Sequence, residues 1–99
     1  MNKVLNDYTL NDVKRMVNLA YKMANRGKKI YIQLDDEYSN NPQMYLSTQE
    51  KHQGGGRVTW GYVSQEHDVY AEMFSNKPDE YYSKNVFCER LYDYIQIKY

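Results

Sequence analysis

The run Lys29-Ile30-Tyr31-Ile32-Gln33-Leu34 decides how this chain folds. Apolar and polar side chains alternate with a period of two, which is the pattern of a half-buried strand. Ile30, Ile32 and Leu34 are expected to face a core, and Tyr31 and Gln33 the opposite side. Working downstream, residues 35–42 read as a polar turn region. Residues 43–48 form a second short strand, with Met44 and Leu46 on one face and Tyr45 on the other. Residues 50–56 read as a flexible connection ending in three glycines. Residues 57–65 form a third strand, on which Val58, Trp60 and Tyr62 share one face and Thr59, Gly61 and Val63 the other; Trp60 is assigned to the core. Glu66-His67 is a tight turn. Residues 68–74 form a fourth strand, with Val69, Ala71 and Met73 pointing one way and Tyr70, Glu72 and Phe74 the other.

Helices bracket these strands. Leu10, Val13, Met16, Val17, Ala20 and Ala24 recur at three- and four-residue steps, predicting a helix over 9–26. Thr9 is a good N-cap with Asp12 at the position of a capping acid, and Arg26-Gly27 supplies a last-turn cation and a left-handed stop. Near the end of the chain, Phe87, Leu91, Tyr94 and Ile95 form a second helical stripe. Its start is placed either at Pro78-Asp79-Glu80, a proline with acids near the positive end of the dipole, or at Ser83. The order α-β-β-β-β-α predicts an α+β domain over 1–99, an antiparallel three- to four-stranded meander flanked by an N-terminal and a C-terminal helix. One sheet face packs against both helices. The other carries Tyr31, Tyr45, Gln33 and either Tyr70 or Tyr62.

Composition excludes several classes. The chain has 99 residues, and its 13 Lys+Arg balance 13 Asp+Glu, so neither a basic arm nor an acidic tail is present. One Cys precludes an intramolecular disulfide or a cysteine-rich zinc site. No apolar run is long enough to span a membrane, and Asn6, Asp7 and Asn11 interrupt any signal-like opening. The expectation is a soluble, cytoplasmic protein. Tyr occurs 12 times against one Trp and two Phe. A ring with a polar tip is comfortable half-exposed and is enriched at interfaces.

Zero net charge hides an asymmetry. Residues 1–34 carry seven cations against two acids, net +5, and residues 35–99 carry six against eleven, net −5. Lys14, Arg15, Lys22 and Arg26 lie mainly off the apolar stripe of the first helix and form a basic face. Asp35, Asp36 and Glu37 concentrate the opposite sign at one loop.

No set of residues carries chemistry by its spacing. His52 and His67 fall in different turns, and nothing in their spacing makes a metal site. Cys88 has acidic sequence neighbours, Glu89 and Asp93, where a catalytic thiol wants an electropositive setting. The acidic loop lacks the alternating ligand pattern of a calcium hand. Gly54-Gly55-Gly56 precedes a strand, whereas a phosphate loop precedes a helix. The reading is therefore non-enzymatic, with no cofactor and no metal.

Two resemblances follow from the layout. The helix–strands–helix order resembles double-stranded RNA-binding domains, although Pro78, Asp79 and Glu80 stand where that family carries basic residues at the start of its last helix. In size, element order and Tyr/Asn-rich composition the chain resembles the small inhibitors of the anti-CRISPR kind made by phages and mobile elements, with no motif in support. That resemblance implies a protein-binding module that sterically blocks a host defence or nucleic-acid enzyme such as a CRISPR nuclease. Tyr31, Tyr45 and Tyr70, with Asp35, Asp36 and Glu37, are the expected partner-binding residues. The alternative is nucleic-acid or acidic-partner binding through Lys14, Arg15, Lys22 and Arg26. An edge strand or the tyrosine face also offers a route to a homodimer.

Overall fold

A computed structural model of the chain describes residues 3–50, 56–73 and 81–99. A helix at each end packs on one side of a five-stranded antiparallel sheet. The elements are α1 (Leu10–Met23), β1 (Lys29–Asp35), β2 (Met44–Ser47), β3 (Arg57–Ser64), β4 (Val69–Glu72), β5 (Tyr81–Tyr82) and α2 (Lys84–Lys98), with a short 3-10 turn at Leu5–Asp7.

Helix α1 opens as its sequence predicts. The Thr9 hydroxyl accepts the Asp12 amide N–H, and the Asp12 carboxylate accepts the Thr9 N–H, closing a capping box. It ends at Met23, before the expected 26, and Gly27 takes its left-handed conformation (φ 79°) in the turn that follows. Helix α2 begins at Lys84 with the Ser83 hydroxyl accepting the Val86 N–H, the later of the two expected starts. Pro78, Asp79 and Glu80 lie outside the described residues. Tyr81 and Tyr82, which precede the cap, form the fifth strand, one more than the sequence pattern shows.

The strand order is β2-β1-β3-β4-β5, which corrects the expected meander. β1 pairs with β2 on one side and β3 on the other, both antiparallel. β2 and β3 therefore run parallel to each other, with β1 between them. Residues 48–50 lie over the face of the sheet opposite the helices. There Gln49 C=O accepts the Gln33 side-chain N–H at 2.9 Å, and Glu50 C=O accepts the Thr59 hydroxyl.

The core lies between sheet and helices. Val13, Val17, Ala20 and Ala24 of α1 and Phe87, Cys88, Leu91 and Ile95 of α2 close over Ile30, Ile32, Leu34, Met44, Trp60, Val63 and Tyr70. Burying a ring such as Phe87 is worth about 2–3 kcal/mol. Trp60 meets Phe87 edge to face, with centroids 5.1 Å apart at 71°.

Two face assignments differ from the sequence pattern. On β3, Gln33 pairs with Thr59 but Ile32 pairs with Gly61, so Trp60 is an extra residue at a β-bulge. Trp60 enters the core as expected, but the bulge resets the alternation beyond it. Val63 then faces the core, and Tyr62 sits opposite Tyr31 on the other face. On β4 the alternation holds with its faces reversed. Tyr70 pairs with Val63, is only 6% exposed, and stacks on Tyr21 at 5.7 Å beneath the helices. Tyr70 is thus a core residue and not part of the open face.

Candidate functional site

A single row of paired residues crosses the helix-free face of the sheet. Ser47 of β2, Tyr31 of β1, Tyr62 of β3, Ala71 of β4 and Tyr81 of β5 stand side by side by register. Cross-strand neighbours on one face interact directly. The Tyr31 and Tyr62 rings are 5.8 Å apart at 53°, and Lys29 Nζ lies 4.5 Å above the Tyr62 ring. The small Ala71 leaves room between Tyr62 and Tyr81. Burial, and then the Tyr81 phenol, push the Tyr62 hydroxyl above its ordinary pKa. Tyr81 is 54% exposed. At one end of the row, Gly27, Lys28, Lys29, Tyr31 and Thr48 surround an open depression of about 560 Å³.

The other half of this face is closed. The Arg57 guanidinium lies 3.4 Å over the Tyr45 ring, the Tyr45 hydroxyl donates to Asp35 at 2.9 Å, and Arg57 Nε is 3.6 Å from the same carboxylate. Asp35 also accepts the Gln43 N–H at 3.0 Å. Beside this cluster Gln33 is buried under residues 48–50, and its Oε1 has no partner among the described residues. Tyr45 is therefore on the expected face, but its hydroxyl and ring are both occupied within the fold.

The acidic loop is engaged internally as well. The Asp36 carboxylate accepts the Tyr38 N–H at 2.8 Å, and Glu37 pairs with Lys98 at 3.7 Å. The Tyr99 hydroxyl donates to the Asp35 carbonyl. Asp35 fastens the start of the loop to β2 and β3, Glu37 reaches the end of α2, and the exposed Asp36 bonds within its own turn.

The basic residues of α1 divide. Arg15 and Lys22, seven residues apart on α1, are exposed, and Arg26 lies beyond the end of the helix in the exposed turn that follows. Lys14 is half-buried on the side toward Cys88 of α2. Arg15 lies 3.6 Å from Asp12, which also pairs with Lys3 at 3.0 Å. Among the described residues, no acid lies within ion-pair distance of Lys22, Arg26, Lys28 or Lys29.

The remaining reactive groups do not converge. Among the described residues no group of three His, Cys, Asp or Glu is placed to hold a metal ion. His67 is exposed in the β3–β4 turn with Nε2 4.0 Å from Glu66, and His52 lies outside the described residues. Cys88 is buried, and burial pushes its thiol up, away from the thiolate form. No helix among the described residues is long and apolar enough to cross a membrane.

Lys29 and Tyr81 were not legible as site residues. Lys29 opens the strand that fixes the sheet, and its place over Tyr62 follows only from the bulged register. Tyr81 required a fifth strand. No family model, no curated protein and no solved structure matches this chain.

Proposed function

We propose that the protein is a small non-enzymatic binding module that docks on another protein through the uncovered half of its sheet face. The observation that carries this reading is the row Tyr31, Tyr62 and Tyr81 with Lys29 over it and Lys28 beside it. Tyrosines on a sheet offer large contact area at low entropic cost, because the strands already hold them. Aromatic anchors of this kind dominate interface energetics. Lys28 and Lys29 carry no ion pair among the described residues, so this end of the row is positively charged and suits an acidic patch.

The most concrete form, on the resemblance in size and composition, is a phage or mobile-element inhibitor that blocks a host defence or nucleic-acid enzyme. Asp35 is held by β2 and β3 and Glu37 pairs with Lys98, which favours blocking by bulk laid over an acidic patch over mimicry of nucleic-acid phosphates.

A second reading has its own support. Arg15 and Lys22 on α1, with Arg26 and Lys28 in the turn after it, are all exposed, a set of cations that suits a phosphate backbone, with salt-sensitive affinity.

The deciding experiment is capture of partners by the tagged protein from a host lysate, with and without nuclease. It is repeated with Tyr31→Ala/Tyr62→Ala and with Lys22→Glu/Arg26→Glu. One stoichiometric protein that survives nuclease and is lost with the tyrosine pair supports the first reading. Capture that disappears with nuclease and with the charge reversal of α1 overturns it in favour of nucleic acid.

A further inference from the structure

We propose that two copies of this chain pair through the outer edge of β2, antiparallel, about a two-fold axis that passes beside Tyr45. β2 is the end strand of the sheet, and the opposite end strand, β5, is only two residues long. The inner ladder fixes which backbone groups face outward. The Asp35 N–H donates to the Gln43 carbonyl at 3.1 Å, and Gln33 pairs with Tyr45 and Tyr31 with Ser47. Residues 43, 45 and 47 thus turn their backbone groups toward β1. By the alternation of an antiparallel pair, Met44 and Leu46 turn theirs outward. Among the described residues, no backbone bond beyond the ladder engages Met44 or Leu46.

Exposed edges are ordinarily defended by charges, proline or bulges. Residues 43–49, Gln-Met-Tyr-Leu-Ser-Thr-Gln, contain no charge and no proline. That neutrality favours a second copy in particular, because a two-fold contact sets a segment against itself and any charge would meet its like. The register is also determined. Pairing outward Met44 with the second copy's Leu46, and the reverse, makes two reciprocal pairs of backbone hydrogen bonds. Tyr45 then stands opposite its own copy at the close, non-bonded position. The ladder is bounded on both sides. Pro42 has no N–H and its carbonyl already accepts the Leu5 N–H at 2.8 Å, while the chain leaves the edge after Ser47 to cross β1.

Side chains complete the match. Met44 and Leu46 point to the helix side and, with Tyr8 and Met16, line a groove of about 470 Å³ along the edge. Met44 is already packed into the core at 7% exposure, so in the pair each half-buried Leu46 covers the remaining edge of a Met44 from the second copy. The rim cations Lys3 and Arg15 both lie against Asp12, which offsets part of their repulsion across the axis. The axis is perpendicular to the sheet, so both tyrosine rows end on one side of a doubled sheet and remain free. The inference does not depend on what those rows bind.

Sedimentation velocity over a concentration series up to millimolar tests the pairing directly. Three variants accompany it. Leu46→Pro deletes an outward N–H that the β1–β2 ladder does not use. Leu46→Lys places a charge against the second copy's apolar Met44. Tyr45→Cys puts two thiols on the axis at about 4.5 Å between Cα atoms, within disulfide range. The expected results are a concentration-dependent dimer for the natural chain, monomer for Leu46→Lys and folded Leu46→Pro, and a disulfide-linked dimer of Tyr45→Cys on mild oxidation. A natural chain that stays monomeric throughout overturns the proposal. So does a dimer that persists in Leu46→Lys, or a Tyr45→Cys protein that yields no disulfide dimer.

Discussion

The Phe87 ring of α2 rests against Gly61 of β3 so closely that a methyl group on Gly61 would stand 3.1 Å from its Cε2. The same methyl would stand 2.5 Å from the Ala71 carbonyl oxygen on β4. A ring can tilt, but the carbonyl belongs to a paired strand and cannot yield cheaply. Gly61→Ala is expected to cost about 1–3 kcal/mol through overpacking. Urea denaturation of the two proteins measures it, and equal midpoints would show that β4 and α2 do not close this tightly on Gly61.

Asp12 makes stability depend on acid. The Thr9 backbone N–H first, and then the Lys3 ammonium, hold its carboxyl down to about 2, below the ordinary 3.8. A carboxylate depressed in the folded state contributes stability at pH above 3.8, and that contribution is lost as pH falls from there toward 2. Asp12→Asn is expected to be less stable at neutral pH and to show a flatter loss of stability across that acid window. Thermal melts at several pH values give the comparison, and parallel curves for the two proteins would refute the linkage.

Tyr70 and Tyr31 look alike in the sequence and part company in the fold. Tyr70→Ala removes a ring packed between Tyr21 and Phe87 and is expected to cost about 3–5 kcal/mol. Tyr31→Ala removes a ring on the open face and is expected to cost about 1 kcal/mol or less. Chemical denaturation of both variants checks the order. A Tyr31→Ala protein as damaged as Tyr70→Ala would mean the face is structural.

Alkali should act through two particular phenols. Burial, the leading cause in each, pushes Tyr70 and Tyr99 up to about 12 from the ordinary 10.0. The neutral form is favoured in the folded state, so stability is intact below pH 10.0 and declines as pH rises toward 12. Phenolate absorbance should show late-titrating tyrosines whose ionisation coincides with loss of the far-ultraviolet circular dichroism signal. Complete titration near pH 10 with the fold retained would contradict this.

Much of the fold was legible because local rules and tertiary packing agree. The Thr9 and Asp12 box announces α1, and the alternation through residues 29–34 announces the sheet. Two things were hidden. A period of two reports that side chains alternate, but not which set lies under the helices, and on β4 only the contact of Tyr70 with Tyr21 and Phe87 decides it. The bulge at Trp60 shifts the phase of β3 by one residue, and neither Trp60 nor Gly61 signals that alone. The candidate site inherits both gaps. Tyr31 was placed on the correct face, Tyr70 on the wrong one, and Tyr81 was missed because a two-residue strand leaves no periodic trace. The acidic loop was legible as a charge cluster, but its engagement by Tyr38, Tyr45, Lys98 and Arg57 is a matter of three-dimensional proximity.

The grip on β1 from both sides bears on how the molecule opens. Tyr31, Gln33 and Asp35 face β2 with their amides, while Ile30, Ile32 and Leu34 face β3, and residues 48–50 lie over Gln33. The amides of Ile30, Ile32 and Leu34 bond to an interior strand and are not freed by fraying of β2, whereas those of Tyr31, Gln33 and Asp35 are. Hydrogen exchange should therefore be slowest at Ile30, Ile32 and Leu34, whose amides are released only when β1 and β3 separate. Met44 and Leu46, one strand away, should exchange early in the monomer and slow on self-association.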